Sequence, residues 1–323
     1  TKANIMLNWN DYGNGIYCID TGYARPQLAA MYLIVEKGHA AFVDTGSNDS
    51  VPNALEALAQ LGLSVDAVDY VILTHIHLDH AGGAGLMMQK FPNAKLVVHP
   101  RGARHMAEPS KLIAGVTAVY GAEYVAKMYG EILPIPAERI IEAADETTIS
   151  LNGRELLCID TPGHARHHNC IIDQQTQGIF TGDMFGLSYR ELDTDGRAFI
   201  FPTTTPTQFD PDEMRASIAR LLSYQPSAMY LTHFGQITDL VKLSEDLLRH
   251  ISALTQAALF VRTLNLDHNA RHTRIKEAMQ AYLLMQVRMF GCTLPDSQLI
   301  EIFATDIELN TQGIGVWLDG LPK

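Results

Sequence analysis

The residues best suited to chemistry lie in the stretch THIHLDHAGG, which follows the apolar run YVIL. It brings His75, His77, Asp79 and His80 into six consecutive positions. Side chains two residues apart point the same way in an extended segment, so His75 and His77 can bind one cation together. Asp79 and His80 follow where the chain turns, and they can face a second cation. Burying these groups at a strand end without a metal would be costly, so the stretch predicts a metal site.

The pattern H-x-H-x-D-H, preceded by Thr and followed by Gly-Gly, resembles the signature of the metallo-β-lactamase superfamily. Its members are αββα sandwich proteins, mostly hydrolases with two metal ions. The resemblance implies that further ligands follow, each at a strand end. Three segments match: TPGHARHH with His164, FTGDMF with Asp183, and YLTHFG with His233. An early acidic motif, FVDTG with Asp44, matches as well, so five motifs occur in order between about residues 15 and 235.

The resemblance also implies a role for each matching residue. The implied ligands are His75, His77 and His164 for the first metal, and Asp79, His80 and His233 for the second, with Asp183 bridging both. Asp44 matches a residue that supports a metal-binding histidine from behind, and such support fixes the tautomer and orientation of the imidazole.

The ligand types limit the metal and the chemistry. Histidine and carboxylate ligands suit zinc, and they also suit iron or manganese, so we expect two divalent ions, with zinc favoured. A bound metal lowers the pKa of water, to about 7 for zinc in favourable sites. The resemblance therefore implies attack of a metal-bridging hydroxide on a carbonyl. Asp79 would act as a catalytic residue, holding the nucleophile in line and carrying a proton to the leaving group.

Within the superfamily, the ligand set resembles the thioesterase and lactonase branches, including glyoxalase II. We therefore expect hydrolysis of a thioester, ester or lactone in a small molecule. Members that perform electron transfer at a di-iron site usually carry Glu where this chain has His77, which favours hydrolysis. Two alternatives stay open: a phosphodiesterase on the same fold, and a metal-retaining binding or regulatory protein that acts through partners.

Residues close to the ligand motifs are candidates for substrate binding. Arg166 can bind a substrate carboxylate in a bidentate manner or be a surface charge. His167 and His168 either contact the substrate or hydrogen-bond behind the ligands. Phe185 and Tyr189 either line the pocket or belong to the core.

The surrounding pattern predicts an α+β protein, a four-layer αββα sandwich with a C-terminal helical extension. Short apolar runs such as AMYLIVE and KLVV predict strands, and the Asn-Gly pair in SLNGREL predicts a hairpin. We expect a catalytic domain over residues 1–240 and a helical extension over 241–323. Within the domain, a helical insertion over 101–132 is expected to cover the site, and its tyrosines at 120, 124 and 129 either select the acyl group or pack against the domain.

Composition narrows the partners. Acidic residues outnumber basic ones, 36 against 24, which gives a net charge of −12. Such a charge repels nucleic acid and anionic membranes, so we expect neither, and a small-molecule substrate and a homodimer instead. The four scattered cysteines are typical of buried thiols, and we see no signal peptide, which favours a cytoplasmic protein. The chain begins with Thr1 rather than Met, so we expect that something was clipped before it.

Overall fold

The computed structural model describes residues 5–323, so the expectation about Thr1 lies outside the described residues. The chain divides into two compact units. The first contains the residues up to Asp160, together with His167–Gly182 and Gln225–Gln236. The second contains Thr161–Arg166, Asp183–Tyr224 and Ile237–Lys323. The domain boundary expected at residue 240 stays a prediction.

The first unit is built on two mixed β-sheets. One has seven strands that neighbour each other in chain order: β1 (Trp9–Asp11), β2 (Ile16–Asp20), β3 (Ala30–Glu36), β4 (His39–Val43), β5 (Val68–Ile72), β6 (Lys95–Val98) and β7 (Ile140–Glu142). The other has six: β8 (Thr147–Leu151), β9 (Arg154–Asp160), β10 (Asn169–Asp173), β11 (Gly178–Gly182), β12 (Ala228–Leu231) and β13 (Gly235–Ile237).

The first sheet changes from antiparallel to parallel pairing in its middle. β1 to β4 pair in antiparallel fashion, whereas β4, β5, β6 and β7 are parallel neighbours. Parallel strands present their carboxyl ends at one edge of a sheet, so the residues that follow β4 and β5 are brought close together. In the second sheet, Asn152 and Gly153 connect β8 and β9 with positive φ angles of 48° and 94°. These angles meet the requirement of the predicted hairpin.

Six helices belong to the first unit. They are α1 (Val51–Gln60), α2 (Leu78–Ala81), α3 (Ala84–Lys90), α4 (Pro100–Ala107), α5 (Ser110–Tyr120) and α6 (Ala122–Tyr129). The last three lie between Pro100 and Tyr129, where the helical insertion 101–132 was expected, and the position of that insertion over the site stays a prediction. Gly121 separates α5 from α6 with a φ of 86°, a left-handed conformation that glycine adopts readily.

Both faces of the first sheet are buried. Along β4, Ala40 and Phe42 belong to the apolar cluster under α1 and α3, while Ala41 and Val43 belong to the cluster between the two sheets. Phe42 stacks on Phe91 with ring centroids 5.4 Å apart. This double burial explains why strands such as β4 have nearly continuous apolar sequences. Two mixed sheets flanked by helices confirm the predicted α+β sandwich.

The second unit contains four α-helices: α7 (Pro211–Ser223), α8 (Leu240–Arg262), α9 (His268–Phe290) and α10 (Asp296–Asp319). Asp210 caps α7 by accepting hydrogen bonds from two backbone amides of its first turn. α9 ends at Gly291, whose φ of 105° is left-handed. The last three helices confirm the predicted helical C-terminal region. Over residues 5–323, no helix is both long enough and apolar enough to span a membrane.

Candidate metal centre

The loop that carries the histidine motif is anchored by Asp44, which directly follows β4. The Asp44 carboxylate accepts hydrogen bonds from the backbone amide of Thr74 at 2.9 Å and from its hydroxyl at 2.9 and 3.0 Å. It also accepts one from the Thr232 hydroxyl at 2.9 Å. Asp44 is completely buried, so these bonds replace the water that its carboxylate would otherwise need. The carboxylate thereby joins the ends of β4, β5 and β12.

Asp44 also fixes His80, which lies on α2. Its Oδ2 atom is 2.7 Å from Nδ1 of His80, so Nδ1 donates its hydrogen to the carboxylate. The other ring nitrogen, Nε2, is then the one with a lone pair, and it lies 3.3 Å from Oδ2 of Asp79. The contact predicted for Asp44 behind a ligand histidine is therefore present in the structure.

His75 and His77 are oriented in a similar way. The Thr74 hydroxyl donates its hydrogen to Asp44, so its oxygen accepts a bond from Nδ1 of His75, 3.0 Å away. This leaves Nε2 of His75 with its lone pair, and that atom lies 3.1 Å from Nδ1 of His77. His75 is fully buried and His77 is partly exposed.

His233 follows β12 and faces Asp79. Its Nδ1 donates to the backbone carbonyl of Leu28 at 2.6 Å, and its Nε2 lies 3.2 Å from Oδ2 of Asp79. Asp79, His80 and His233 thus each offer an atom within 4.8 Å of the others. Burial raises the pKa of Asp79, but the charges and hydrogen bonds of His80 and His233 outweigh it and hold the pKa well below its usual range. The Asp79 side chain is 25% exposed, so its carboxylate faces an accessible region.

In the second unit, His164 and Asp183 form one buried pair. Nε2 of His164 lies 3.2 Å from Oδ2 of Asp183. Gly163, which precedes the histidine, has a φ of 133°, and a Cβ there would lie 2.4 Å from backbone atoms of Met214. The glycine of TPGH is therefore required by the close approach of α7.

The spacing and type of these atoms fit divalent ions. Two ligands of one tetrahedral zinc, each about 2.0–2.1 Å from it, lie about 3.3 Å apart. The pairs His75–His77, Asp79–His80, Asp79–His233 and His164–Asp183 are separated by 3.1 to 3.3 Å. In His75, His80 and His233 the opposite ring nitrogen contacts a protein oxygen, as in histidines that bind metals. Nitrogen and carboxylate ligands also match the donor preference of zinc, iron and manganese.

The structure places His167 and His168 against the histidine motif. The His168 ring is fully buried and stacks on His75 with centroids 4.8 Å apart. His167 makes an edge contact with His77 at 5.3 Å, and its Nδ1 accepts a bond from the Ile76 amide at 3.3 Å. Both rings therefore pack beside the ligand histidines, and their substrate contacts stay predictions.

The other three candidate substrate residues lie in the second unit. Arg166 is exposed, and its backbone amide donates to Gln208 at 2.8 Å. Phe185 and Tyr189 are buried, and the Tyr189 hydroxyl donates to Asp306 at 2.8 Å. Their roles in substrate binding stay predictions.

Several residues with clear roles were not anticipated from the sequence. Thr74 and Thr232 link Asp44 to the motif, and Leu28 orients His233 through its backbone carbonyl. A threonine beside each histidine was visible in THIH and YLTHFG, so the two hydroxyl contacts had a signal. The Leu28 carbonyl had none, because any residue type supplies a backbone oxygen.

Comparison with known proteins identifies the family of this chain. The family model described as the metallo-beta-lactamase superfamily matches residues 24–233. The chain is 25% identical over 242 residues to the metallo-beta-lactamase fold-containing protein ST1585 of Sulfurisphaera tokodaii, covering 73% of this chain and 84% of the relative. The crystal structure of ST1585 from Sulfolobus tokodaii covers 75% of this chain and 86% of its own, with a TM-score of 0.59 and 25% identity.

Two further relatives have names that describe hydrolases. The chain is 27% identical over 212 residues to the hydroxyacylglutathione hydrolase of Aeromonas hydrophila, covering 65% of this chain and 63% of the relative. It is also 27% identical over 190 residues to the acyl-coenzyme A thioesterase MBLAC2 of Gallus gallus, covering 53% and 63%. Because the family model spans most of the chain and the histidine motif lies within it, the chain belongs to the metallo-beta-lactamase superfamily of metal-dependent hydrolases.

Proposed function

We propose that the protein is a binuclear metal-dependent hydrolase that cleaves a thioester, ester or lactone in a small molecule. The proposed ligands are His75, His77 and His164 for one ion, and Asp79, His80 and His233 for the other, with Asp183 shared. The observation that carries this proposal is the set of close ligand pairs, 3.1 to 3.3 Å apart. Protein oxygens orient three of their histidines, His75, His80 and His233, from the opposite ring nitrogen.

When bound, two divalent ions would lower the pKa of a water molecule and polarise the substrate carbonyl. The protein residues would provide orientation and proton transfer. Asp44, Thr74 and the Leu28 carbonyl would keep the ligand imidazoles in the correct tautomers. Asp79 would accept a hydrogen bond from the attacking water and pass a proton to the leaving group, since its carboxylate is the partly exposed one.

A thioester is the favoured substrate class. The two relatives named as hydroxyacylglutathione hydrolase and acyl-coenzyme A thioesterase act, by their names, on acyl groups carried by sulfur compounds. The net charge of −12 also disfavours a nucleic-acid phosphodiester. We propose zinc as the metal. The homodimer and the cytoplasmic location stay predictions.

The test is hydrolysis by purified protein that has been stripped with a chelator and reloaded separately with zinc, iron(II) or manganese. The panel contains S-acylglutathiones, acyl-coenzyme A esters, homoserine lactones, aryl esters and bis-p-nitrophenyl phosphate. Metal-dependent turnover of one carbonyl class supports the proposal. Turnover of the phosphodiester alone would favour a phosphodiesterase, and inactivity with both metals bound would favour a binding or regulatory role.

A matched pair of histidine variants completes the test. His75→Ala removes a proposed ligand and should abolish turnover and reduce the bound metal. His39→Ala removes a half-exposed histidine that pairs with Asp69, and it should change neither. Equal turnover in both variants would contradict the proposed site.

A further inference from the structure

Four tyrosines of the first unit form a continuous aromatic group, which we name the tyrosine wall: Tyr23, Tyr120, Tyr124 and Tyr129. The rings of Tyr23 and Tyr129 stack at 6.0 Å, and those of Tyr120 and Tyr124 stack at 5.1 Å. An edge contact of 6.5 Å between Tyr124 and Tyr129 joins the two pairs. Tyr129 is buried, Tyr23 and Tyr120 are partly exposed, and Tyr124 is 37% exposed, so the wall has an accessible side.

The wall packs around Leu78, which directly precedes Asp79 on α2. Leu78, the neighbour of Asp79 on α2, packs in one apolar cluster with Val125 and Tyr129, and the rings of Tyr23 and Tyr120 pack against that cluster. Burial raises the pKa of the Tyr23, Tyr120 and Tyr129 phenols most, and the negative charge of Asp79 raises it further. The phenols therefore stay protonated at neutral pH and act as hydrogen-bond donors.

Two contacts hold the segment that follows α6, the helix that carries half of the wall, against the residues after β4 and against α3. The side-chain amide of Asn48 donates to the Glu131 carbonyl at 2.7 Å. Gly85 on α3 lies so close to the Leu133 carbonyl that a Cβ would be 2.1 Å from its oxygen. On the other side, Tyr23 belongs to the same loop as Leu28, whose carbonyl orients His233. The wall is therefore tied to the elements that position the proposed ligands.

The wall also contains one phenol hydrogen that is not donated to a protein acceptor in the described part of the chain. The hydroxyls of Tyr23 and Tyr129 lie 2.8 Å apart, so one of their two hydrogens is used between them. The second hydrogen has no acceptor within residues 5–323. A phenol donor of this kind, set among aromatic rings, matches a planar ligand that carries an acceptor oxygen.

On the basis of the proposed function, we propose that the tyrosine wall binds an aromatic acyl group of the substrate. The Tyr23–Tyr129 pair would donate a hydrogen bond to an oxygen on that aromatic group, and the rings of Tyr120 and Tyr124 would contact its apolar surface. The preferred substrates would then be thioesters of aromatic acyl groups that carry an oxygen substituent on the ring.

The experiment compares thioesters of N-acetylcysteamine with the zinc-loaded protein. Methoxybenzoyl thioesters, with the oxygen at position 3 or 4, are compared with the corresponding ethylbenzoyl thioesters, which have a similar shape but lack the acceptor. We expect kcat/KM of the wild type to favour one methoxybenzoyl isomer about tenfold, the effect of one hydrogen bond of about 1.4 kcal/mol. The double variant Tyr23→Phe/Tyr129→Phe removes both phenol donors and should reduce this ratio to near one, whereas Tyr17→Phe, which removes a hydroxyl on β2, should preserve it.

A binding measurement separates this proposal from the proposed function. The corresponding amides, which resist hydrolysis, are titrated into metal-free protein by calorimetry. Tighter binding of the methoxybenzoyl amide that is lost in the Tyr23→Phe/Tyr129→Phe double variant supports the wall, even if no thioester is hydrolysed and the proposed function fails. Two results together would overturn the wall and leave the proposed function standing. Acetyl and benzoyl thioesters would be hydrolysed, with equal kcat/KM for methoxybenzoyl and ethylbenzoyl thioesters, and the two amides would bind equally tightly.

Discussion

Oδ2 of Asp44 lies 2.7 Å from Nδ1 of His80, and both side chains are completely buried. The same carboxylate receives hydrogen bonds from Thr74 and Thr232. One residue therefore orients a proposed ligand and holds the ends of three strands together. This arrangement predicts that changes at Asp44 affect metal binding without removing any ligand.

Replacing Asp44 by Asn should weaken metal binding about 10- to 100-fold. The substitution replaces one carboxylate oxygen, an acceptor, by an NH2 group, which is a donor. In the variant, this NH2 group faces one of the groups that donate to the carboxylate in the wild type. Competition with a chromophoric chelator measures the affinity. Asp69→Asn, at a partly exposed carboxylate that pairs with His39, is the control and should bind metal like the wild type. Unchanged affinity in Asp44→Asn would contradict the role of Asp44.

Replacing Asp79 by Asn should lower kcat by about 10²-fold or more, because the amide can no longer carry a proton to the leaving group. The turnover of the preferred substrate and the metal content are measured on the same samples. Asp212→Asn, a change at a fully solvated carboxylate on α7, should leave kcat unchanged. Full turnover of Asp79→Asn with both metals bound would rule out the proton-transfer role.

Among the basic residues of the first unit, we expect the replacement of Arg154 to lower the free energy of unfolding most. Its buried guanidinium donates to both oxygens of Asp173, at 3.0 and 2.6 Å, and to the Asn14 carbonyl at 2.6 Å. Arg154→Met would leave the buried Asp173 without this cation and should lower the free energy of unfolding by about 3–5 kcal/mol. Arg215→Met, which breaks an exposed pair with Asp212, should change it by less than about 1 kcal/mol. Urea unfolding measures both, and similar losses would argue against this assignment.

The stability of the second unit should depend on pH through His250. Burial and, to a lesser degree, the charge of Arg249 together lower the pKa of His250 to about 4. In the unfolded chain the pKa is about 6.5, so between pH 6.5 and 4 the unfolded state binds a proton that the folded state does not. The free energy of unfolding therefore falls as the pH drops through this range, by up to about 3 kcal/mol.

Urea unfolding of chelator-treated samples at several pH values checks this dependence. His250→Gln retains an amide that can bond the Tyr282 hydroxyl, now 2.8 Å from His250 Nδ1, and it should show a shallower loss of stability in acid. His268→Gln, at an exposed position, should follow the wild type. Identical slopes for wild type and His250→Gln would show that His250 does not contribute.

The sequence predicted the elements whose signals are local. The apolar runs of β3 and β6 and the Asn152–Gly153 hairpin each follow from a few neighbouring residues. The histidine motif was recognisable for the same reason. The end of the strand before the motif was not recognisable, because β5 stops at Ile72. The Thr74 amide donates to the Asp44 side chain instead of to a neighbouring strand. Asp44 lies 30 positions away, so the residues around Thr74 give no sign of this contact.

The tyrosine wall shows where prediction from sequence fails. Its members at 120, 124 and 129 were noticed because they lie in one helical segment. Tyr23 was not, because 106 positions separate it from Tyr129, its hydrogen-bond partner. Likewise, β1 and β13 span three residues each, too few for a period of two to be recognised.

The loop between β2 and β3 has a consequence for engineering. It carries Tyr23 at one end and, at the other, the Leu28 carbonyl that orients His233. Grafting this loop from a relative would therefore alter acyl selectivity and metal retention together. Point changes at position 23 separate the two properties, because the backbone oxygen of Leu28 is insensitive to them. Directed evolution of a new acyl preference should accordingly begin with single codons at position 23 rather than with loop exchange.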